Sequence, residues 1–155
     1  MTRILFICHG NICRSPMAEY YMKDAVKKLG IADRYAISSA ATSTEELGNG
    51  VYPPARRILG RNGIDCSAHR ARQIRPSDYG ENDLIIIMDE RNRRGCTRFF
   101  GNDPEGKIHL LMDYTDRPGT GVADPWYTDD FESAWRDIRD GCDGIIRAMN
   151  EKTAP

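Results

Sequence analysis

No apolar run in this 155-residue chain approaches the ~20 residues that a bilayer-spanning helix requires. Neither sign of charge dominates. The chain has 22 Lys and Arg against 23 Asp and Glu, a formal net charge of −1, so charge offers no reason to expect a nucleic-acid or membrane-surface partner. Cysteine is sparse and odd in number: Cys8, Cys13, Cys66, Cys96 and Cys142 include no CxxC pair. That spacing argues against a disulfide framework and against zinc. Met1-Thr2-Arg3 lead straight into a short apolar segment and a polar loop, unlike a signal peptide. Repeats, linkers and low-complexity tracts are missing as well. The expectation is a cytoplasmic protein with free thiols and no metal. Residues 1–155 would form one domain, long enough to bury a core without staples.

The chain alternates strand and helix signals. Residues 2–8 include Ile4-Leu5-Phe6-Ile7, consecutive apolar residues that suggest a strand buried on both faces of a parallel sheet. Ser15-Pro16 reads as a helix opening, a capping hydroxyl followed by proline, and Gly30 as its end. Tyr35–Ala40 predicts a second strand, followed by a polar stretch to Gly50 that a compact domain would keep for function. Pro53-Pro54 opens another helix, and Ala68 to Ser77 reads as basic and irregular. Asp83–Met88 is the clearest strand, with Asp89-Glu90 leading into a helix that runs to Phe100. Lys107–Leu111 predicts a fourth strand, residues 113–127 a second long loop, and Phe131 to Met149 a helix. Four strands alternating with helices predict an α/β fold with a parallel sheet covered on both faces. In such folds ligands bind beyond the carboxyl ends of the strands. Cys8, Ser39, Asp89 and the 113–127 loop all fall at such ends.

The stretch Cys8-His9-Gly10-Asn11-Ile12-Cys13-Arg14-Ser15-Pro16 carries the chemistry. Gly10 and Asn11 tolerate left-handed backbone, so the loop can aim its N–H groups inward as an anion nest. The helix that follows adds its positive end, and Arg14 adds a planar fork that fits two phosphate oxygens. A field that binds a dianion also stabilises a thiolate at Cys8. Ser15 can donate a hydrogen bond to that sulfur. A nucleophilic thiolate beside a bound phosphate implies a phosphocysteine intermediate, and the reaction then needs an acid. Asp124 in Asp124-Pro125-Trp126-Tyr127 suits the role, with Trp126 and Tyr127 as cleft walls for an aromatic leaving group.

The Cys8–Pro16 stretch resembles the phosphate loop of the low-molecular-weight protein tyrosine phosphatases, and Asp124–Tyr127 resembles their general-acid loop. Ser38–Ser43, Ala68–Gln73 and Met88-Asp89 are similar to further landmarks of that family, in the same order along the whole chain. The resemblance implies a flavodoxin-like three-layer fold with a four-stranded parallel sheet and hydrolysis of phosphotyrosine. It implies Cys8 as nucleophile, Arg14 as phosphate clamp and Asp124 as general acid and base. The loop residues His9, Gly10, Asn11, Ile12, Cys13 and Ser15, with Trp126 and Tyr127, would contact phosphate or substrate. Ser39 and His69 would join Asn11 in a supporting network, Asp89 would order the acid loop, and Cys13 would be a redox neighbour of Cys8. No cofactor is implied. The partner would be a phosphotyrosine-containing protein such as a tyrosine kinase, and the enzyme a monomer or weak dimer. One departure stands out. Glu45 falls about where the family often has an aromatic, and a carboxylate at that rim would favour basic over acidic peptides.

Competing readings exist for each residue. Cys8 alone could be a buried strand cysteine, Asp124 a turn initiator, Asp89 a helix cap and His69 a structural hydrogen-bonder. The arginines at 70, 72, 75, 91, 93 and 94 could be a solvated face, or some of them could meet acidic substrate. The rival functions are arsenate reduction on the same fold, which needs a cysteine relay where only Cys96 is found, and a phosphopeptide-binding module without turnover.

Overall fold

The computed structural model describes residues 1–153. Strands β1 (Thr2–Cys8), β2 (Tyr35–Ala41), β3 (Leu84–Ile87) and β4 (Ile108–Leu110) form one sheet in the order β2-β1-β3-β4, and every pairing is parallel. The helices are α1 (Arg14–Lys28), α2 (Pro53–Arg61), α3 (Ser77–Glu81), α4 (Glu90–Phe100), α5 (Pro125–Thr128) and α6 (Phe131–Thr153). The apolar run of β1 faces two cores. Ile4 and Phe6 pack with Met17 of α1 and Ile138 of α6. Leu5 and Ile7 pack with Cys96 and Phe100 of α4. All four β1 residues are fully buried, each contributing about 1.5–3 kcal/mol relative to exposure. The expected three-layer α/β architecture is therefore the one observed.

From β1 the chain steps to β2 on one side; β3 then returns to pair on the other side of β1. The carboxyl ends of β1 and β3 flank the point where strand order reverses, which opens a crevice. The register Phe6↔Ile86 and Ile7↔Ile87 brings Cys8 out beside Met88, with Asp89 next in the chain.

Several local expectations change. Helix α1 begins at Arg14, with Cys13 at its N-cap and no side-chain cap bond, because the Ser15 hydroxyl is turned to Cys8 instead. The segment read as basic and irregular pairs with the end of β2: the Ala41 N–H donates to the Arg72 carbonyl, and the Ile74 N–H to the Ala41 carbonyl. Helix α3, not expected from the sequence, follows it. The second long loop begins with a 3-10 turn at Leu111–Tyr114 and ends in α5. That turn packs directly on α6, where a Cβ on Gly144 would lie 1.9 Å from the Tyr114 carbonyl oxygen. Only glycine lets the loop leave β4 along this path.

Candidate active site

Cys8 is 3% exposed, and its sulfur is surrounded by donors. The Asn11 N–H lies at 3.3 Å, the Ser15 N–H at 3.4 Å and the Ser15 Oγ at 3.0 Å. The Asn11 side-chain amide donates to both Ser15 Oγ (2.8 Å) and Ser39 Oγ (2.9 Å). Ser39 in turn donates to Glu19 (2.5 Å), whose other oxygen accepts from Lys23. With its oxygen already accepting from Asn11, Ser15 has its proton free for the sulfur. Such an arrangement stabilises negative charge on Cys8.

Asn11 alone in this loop is left-handed, at φ 60°. Gly10 does not use the freedom expected of it. A non-glycine residue in that region costs on the order of 1 kcal/mol, and the surroundings fix it there. The Asn11 carbonyl accepts from His69 Nε2 (2.7 Å), and its Oδ1 accepts from the Arg72 N–H (3.2 Å). His69 is thus a buried hydrogen-bonder, set edge-on to Tyr20.

Arg14 is 2% exposed. Its Nη1 donates to Asp89 (2.7 Å) and to the Val122 carbonyl (2.8 Å), and its Nη2 lies 3.4 Å from Asp124. These bonds use three of five donors, leaving Nε and one Nη2 hydrogen for a ligand. Burial works against the guanidinium's charge, but Cys8, Asp124 and Asp89 outweigh it and hold its pKa above the ordinary value. Asp89 caps α4 through a reciprocal pair with Asn92 and also grips Arg14. Burial opposes its ionisation; the Arg14 bond nevertheless keeps it below the usual carboxylate range.

Asp124 caps α5, accepting from the Trp126 N–H (3.0 Å), and faces Arg14 across the cleft. Val122 pins the loop just before it. The Val122 N–H donates to the Met88 carbonyl (2.8 Å), and its own carbonyl holds Arg14. The cleft has a volume of about 100 Å³ and brings together Cys8, Arg14 and Asp124, with His9, Gly10, Ile12, Cys13, Trp126 and Tyr127 on its walls. Tyr52 backs Trp126, ring centroids 5.0 Å apart. Asn11 and Ser15 are fully buried and face the sulfur rather than the cleft. Burial, with Cys8 adding to it, pushes the Cys13 thiol well up, and both cysteines are free thiols.

Residues 3–154 match the family described as low molecular weight phosphotyrosine protein phosphatase. The chain belongs to this family. Among relatives of this phosphatase, the Bacillus subtilis low molecular weight protein-tyrosine-phosphatase YfkJ is 34% identical over 98% of each chain. The Sus scrofa low molecular weight phosphotyrosine protein phosphatase is 37% identical over 96% of this chain and 94% of its own. The crystal structure of YfkJ superposes with a TM-score of 0.94 at 33% identity, covering 99% of this chain and 98% of that one.

Four contributors to this phosphatase's site were not foreseen. Glu19 sits on α1 looking like any amphipathic-helix carboxylate. Arg72 was taken for part of a solvated face, yet it pairs in bidentate fashion with buried Asp78 (3.0 and 3.1 Å), which presents its N–H to Asn11. Val122 acts through backbone atoms, which leave no mark in a sequence. Tyr52 precedes Pro53-Pro54 and could have been flagged only as an aromatic at a helix entrance.

Proposed function

We propose that this chain hydrolyses phosphotyrosine and aryl phosphate monoesters through a cysteinyl-phosphate intermediate, and that residues 1–155 act as one phosphatase domain. The Cys8 thiolate attacks phosphorus while Arg14 and the loop N–H groups hold the non-bridging oxygens. Asp124 passes its proton to the departing phenolic oxygen. In the second step Asp124 takes a proton from water as that water attacks phosphorus. Phosphate leaves, and the thiolate returns to its nest of donors at Asn11 and Ser15. Trp126 and Tyr127 offer an aromatic wall to the substrate ring, with Tyr52 behind Trp126. The substrate would be a phosphotyrosine-containing protein, such as a tyrosine kinase, met in the cytoplasm by a monomer or weak dimer.

The observation that carries this reading is the meeting of Cys8, Arg14 and Asp124 in one cleft, in a chain whose relatives are named phosphatases. It also disfavours arsenate reduction. Cys96, the candidate relay thiol, is fully buried, and burial pushes it up to about 12. Cys8→Ser is expected to lose aryl-phosphate hydrolysis while keeping oxyanion binding, and rapid quenching of wild type should trap phosphate on Cys8. Undiminished turnover in Cys8→Ser would overturn the mechanism.

A further inference from the structure

A second depression adjoins the cleft and shares His9, Arg14, Asp124 and Tyr127 with it. Its volume is about 400 Å³. One wall is helix α4, which presents Arg91, Arg94 and Arg98. The spacing i, i+3, i+7 puts them on one face, while Asn92, Cys96 and Phe100 of the same helix are buried. Arg93 is spent on Glu90, but Arg91, Arg94 and Arg98 have no carboxylate partner within 4 Å among the described residues. Arg91 reaches over the Tyr127 ring at 5.9 Å and Arg98 over Phe99 at 4.7 Å; Arg94 makes neither kind of contact.

The other groups facing this depression do not cancel that charge. Its carboxylates, Asp89 and Asp124, are both turned to Arg14. The floor is the Thr42-Ser43 turn, held to the Cys8 loop by N–H bonds to the Cys8 and His9 carbonyls. Helix α4 can lie against this turn because position 95 is glycine. A Cβ there would sit 2.8 Å from Thr42 Cβ. The basic helix face is thereby brought to the edge of the catalytic cleft. Glu45 and Glu46 line the catalytic cleft but not this depression. Glu45 lies 3.1 Å from His9 and Glu46 accepts from the Asn49 amide at 2.6 Å; neither has a Lys or Arg partner within 4 Å among the described residues, so this rim stays acidic.

We propose that the α4 depression is a substrate subsite that takes the acidic flank of a phosphotyrosine peptide, with Arg91, Arg94 and Arg98 as its specificity-determining residues. The inference rests on the phosphatase reading above and adds a direction to it. A peptide seated with its phosphate on Arg14 lies across two lips of opposite charge. Acidic residues on one side of the phosphotyrosine meet arginines; acidic residues on the other side meet Glu45 and Glu46. The expectation from the sequence, that Glu45 makes the enzyme prefer basic peptides, then holds for one flank only.

The test uses three phosphotyrosine peptides, with Asp and Glu placed only before the phosphotyrosine, only after it, or nowhere. Turnover of each is compared with that of a small aryl phosphate. At low ionic strength wild type is expected to process one of the two acidic peptides about tenfold more efficiently in kcat/KM than the neutral one, with the advantage fading as salt rises. The double variant Arg94→Ala/Arg98→Ala should lose most of that ratio. Arg94→Glu/Arg98→Glu should reverse it, so that the neutral peptide is turned over more efficiently than the acidic one. Equal rates for all three peptides in wild type, or an acidic preference that survives both variants, overturns the subsite. Binding of the same peptides to Cys8→Ser is read separately. Acid-dependent binding without wild-type turnover would support the subsite and sink the phosphatase mechanism, while turnover without flank preference would do the reverse.

Discussion

The Cys8–Ser15 loop is buried and bonded except at His9 and Gly10, whereas the loop carrying Asp124 runs largely through solvent. In the first, Cys8, Asn11 and Ser15 are 3% exposed or less, and Asn11 alone ties the loop to Ser39, His69 and Arg72. In the second, residues 116–121 are all exposed, and the loop's hold on the cleft comes through Val122 and Asp124. The contrast fits the roles proposed for the two loops. An anion nest works by having its donors aimed before the ligand arrives, so reorganisation during reaction is avoided. A proton donor has to reach a leaving group that differs from substrate to substrate, and a loop with few buried contacts opens at low cost.

Three substitutions would sharpen or break this contrast. The largest effect belongs to the exposed loop. Asp124→Asn is expected to lower kcat for aryl phosphates by about 10²–10⁴-fold, most of all for poor leaving groups, with stability nearly unchanged. A leaving-group series on the variant checks this; equal losses for good and poor leaving groups would assign the acid elsewhere. In the buried loop chemistry and stability should fall together. Asn11→Ala removes the Asn11 amide from Ser15, Ser39 and Arg72 and leaves alanine in left-handed backbone. A loss of about 2–3 kcal/mol in urea unfolding and up to roughly 10²-fold in kcat is expected. Lost activity with intact stability would mean that the loop holds its shape without Asn11.

The smallest effect lies where the two loops meet. Asn is as good a helix cap as Asp, so Asp89→Asn isolates the charge facing Arg14. After solvent screening this is worth about 1 kcal/mol. The folded-state pKa of Asp89 is depressed below its ordinary 3.8, by Arg14 acting against burial. Its contribution is therefore fully present above 3.8 and is lost as pH falls through the folded value. Denaturation of wild type and variant at neutral pH and in acid should show a gap that closes in acid. A gap of constant size would mean that packing, not charge, is responsible.

Much of this design was open to reading along the chain. The unbroken run Ile4–Ile7 announced a strand buried on two faces, and Cys8-His9-Gly10-Asn11-Ile12-Cys13-Arg14 announced an anion loop with a thiol. Asp124-Pro125 stood out as a stiffened carboxylate. Other features were hidden for definite reasons. Ser15 carried two readings, a helix cap before Pro16 and a donor to the Cys8 sulfur; Asn11, which donates to its oxygen and was not read as its partner, leaves it in the second role. Gly144 is an unremarkable helix residue until the Tyr114 carbonyl lies against it. Glu19 and Arg72 are charged residues of ordinary appearance whose partners sit on other elements.

Local chemistry is thus written in consecutive residues: strand type, the donor-rich loop, its thiol, the stiffened carboxylate. Which groups meet is not. Arg14 gathers Asp89, the Val122 carbonyl and Asp124 from 75, 108 and 110 residues away. It can do so because parallel crossovers carry the ends of β1 and β3 to one crevice and Gly144 lets the last loop turn back toward it. The same packing, through Gly95, sets the arginines of α4 against one lip of the cleft, a charge asymmetry that the chain's near-neutral total conceals.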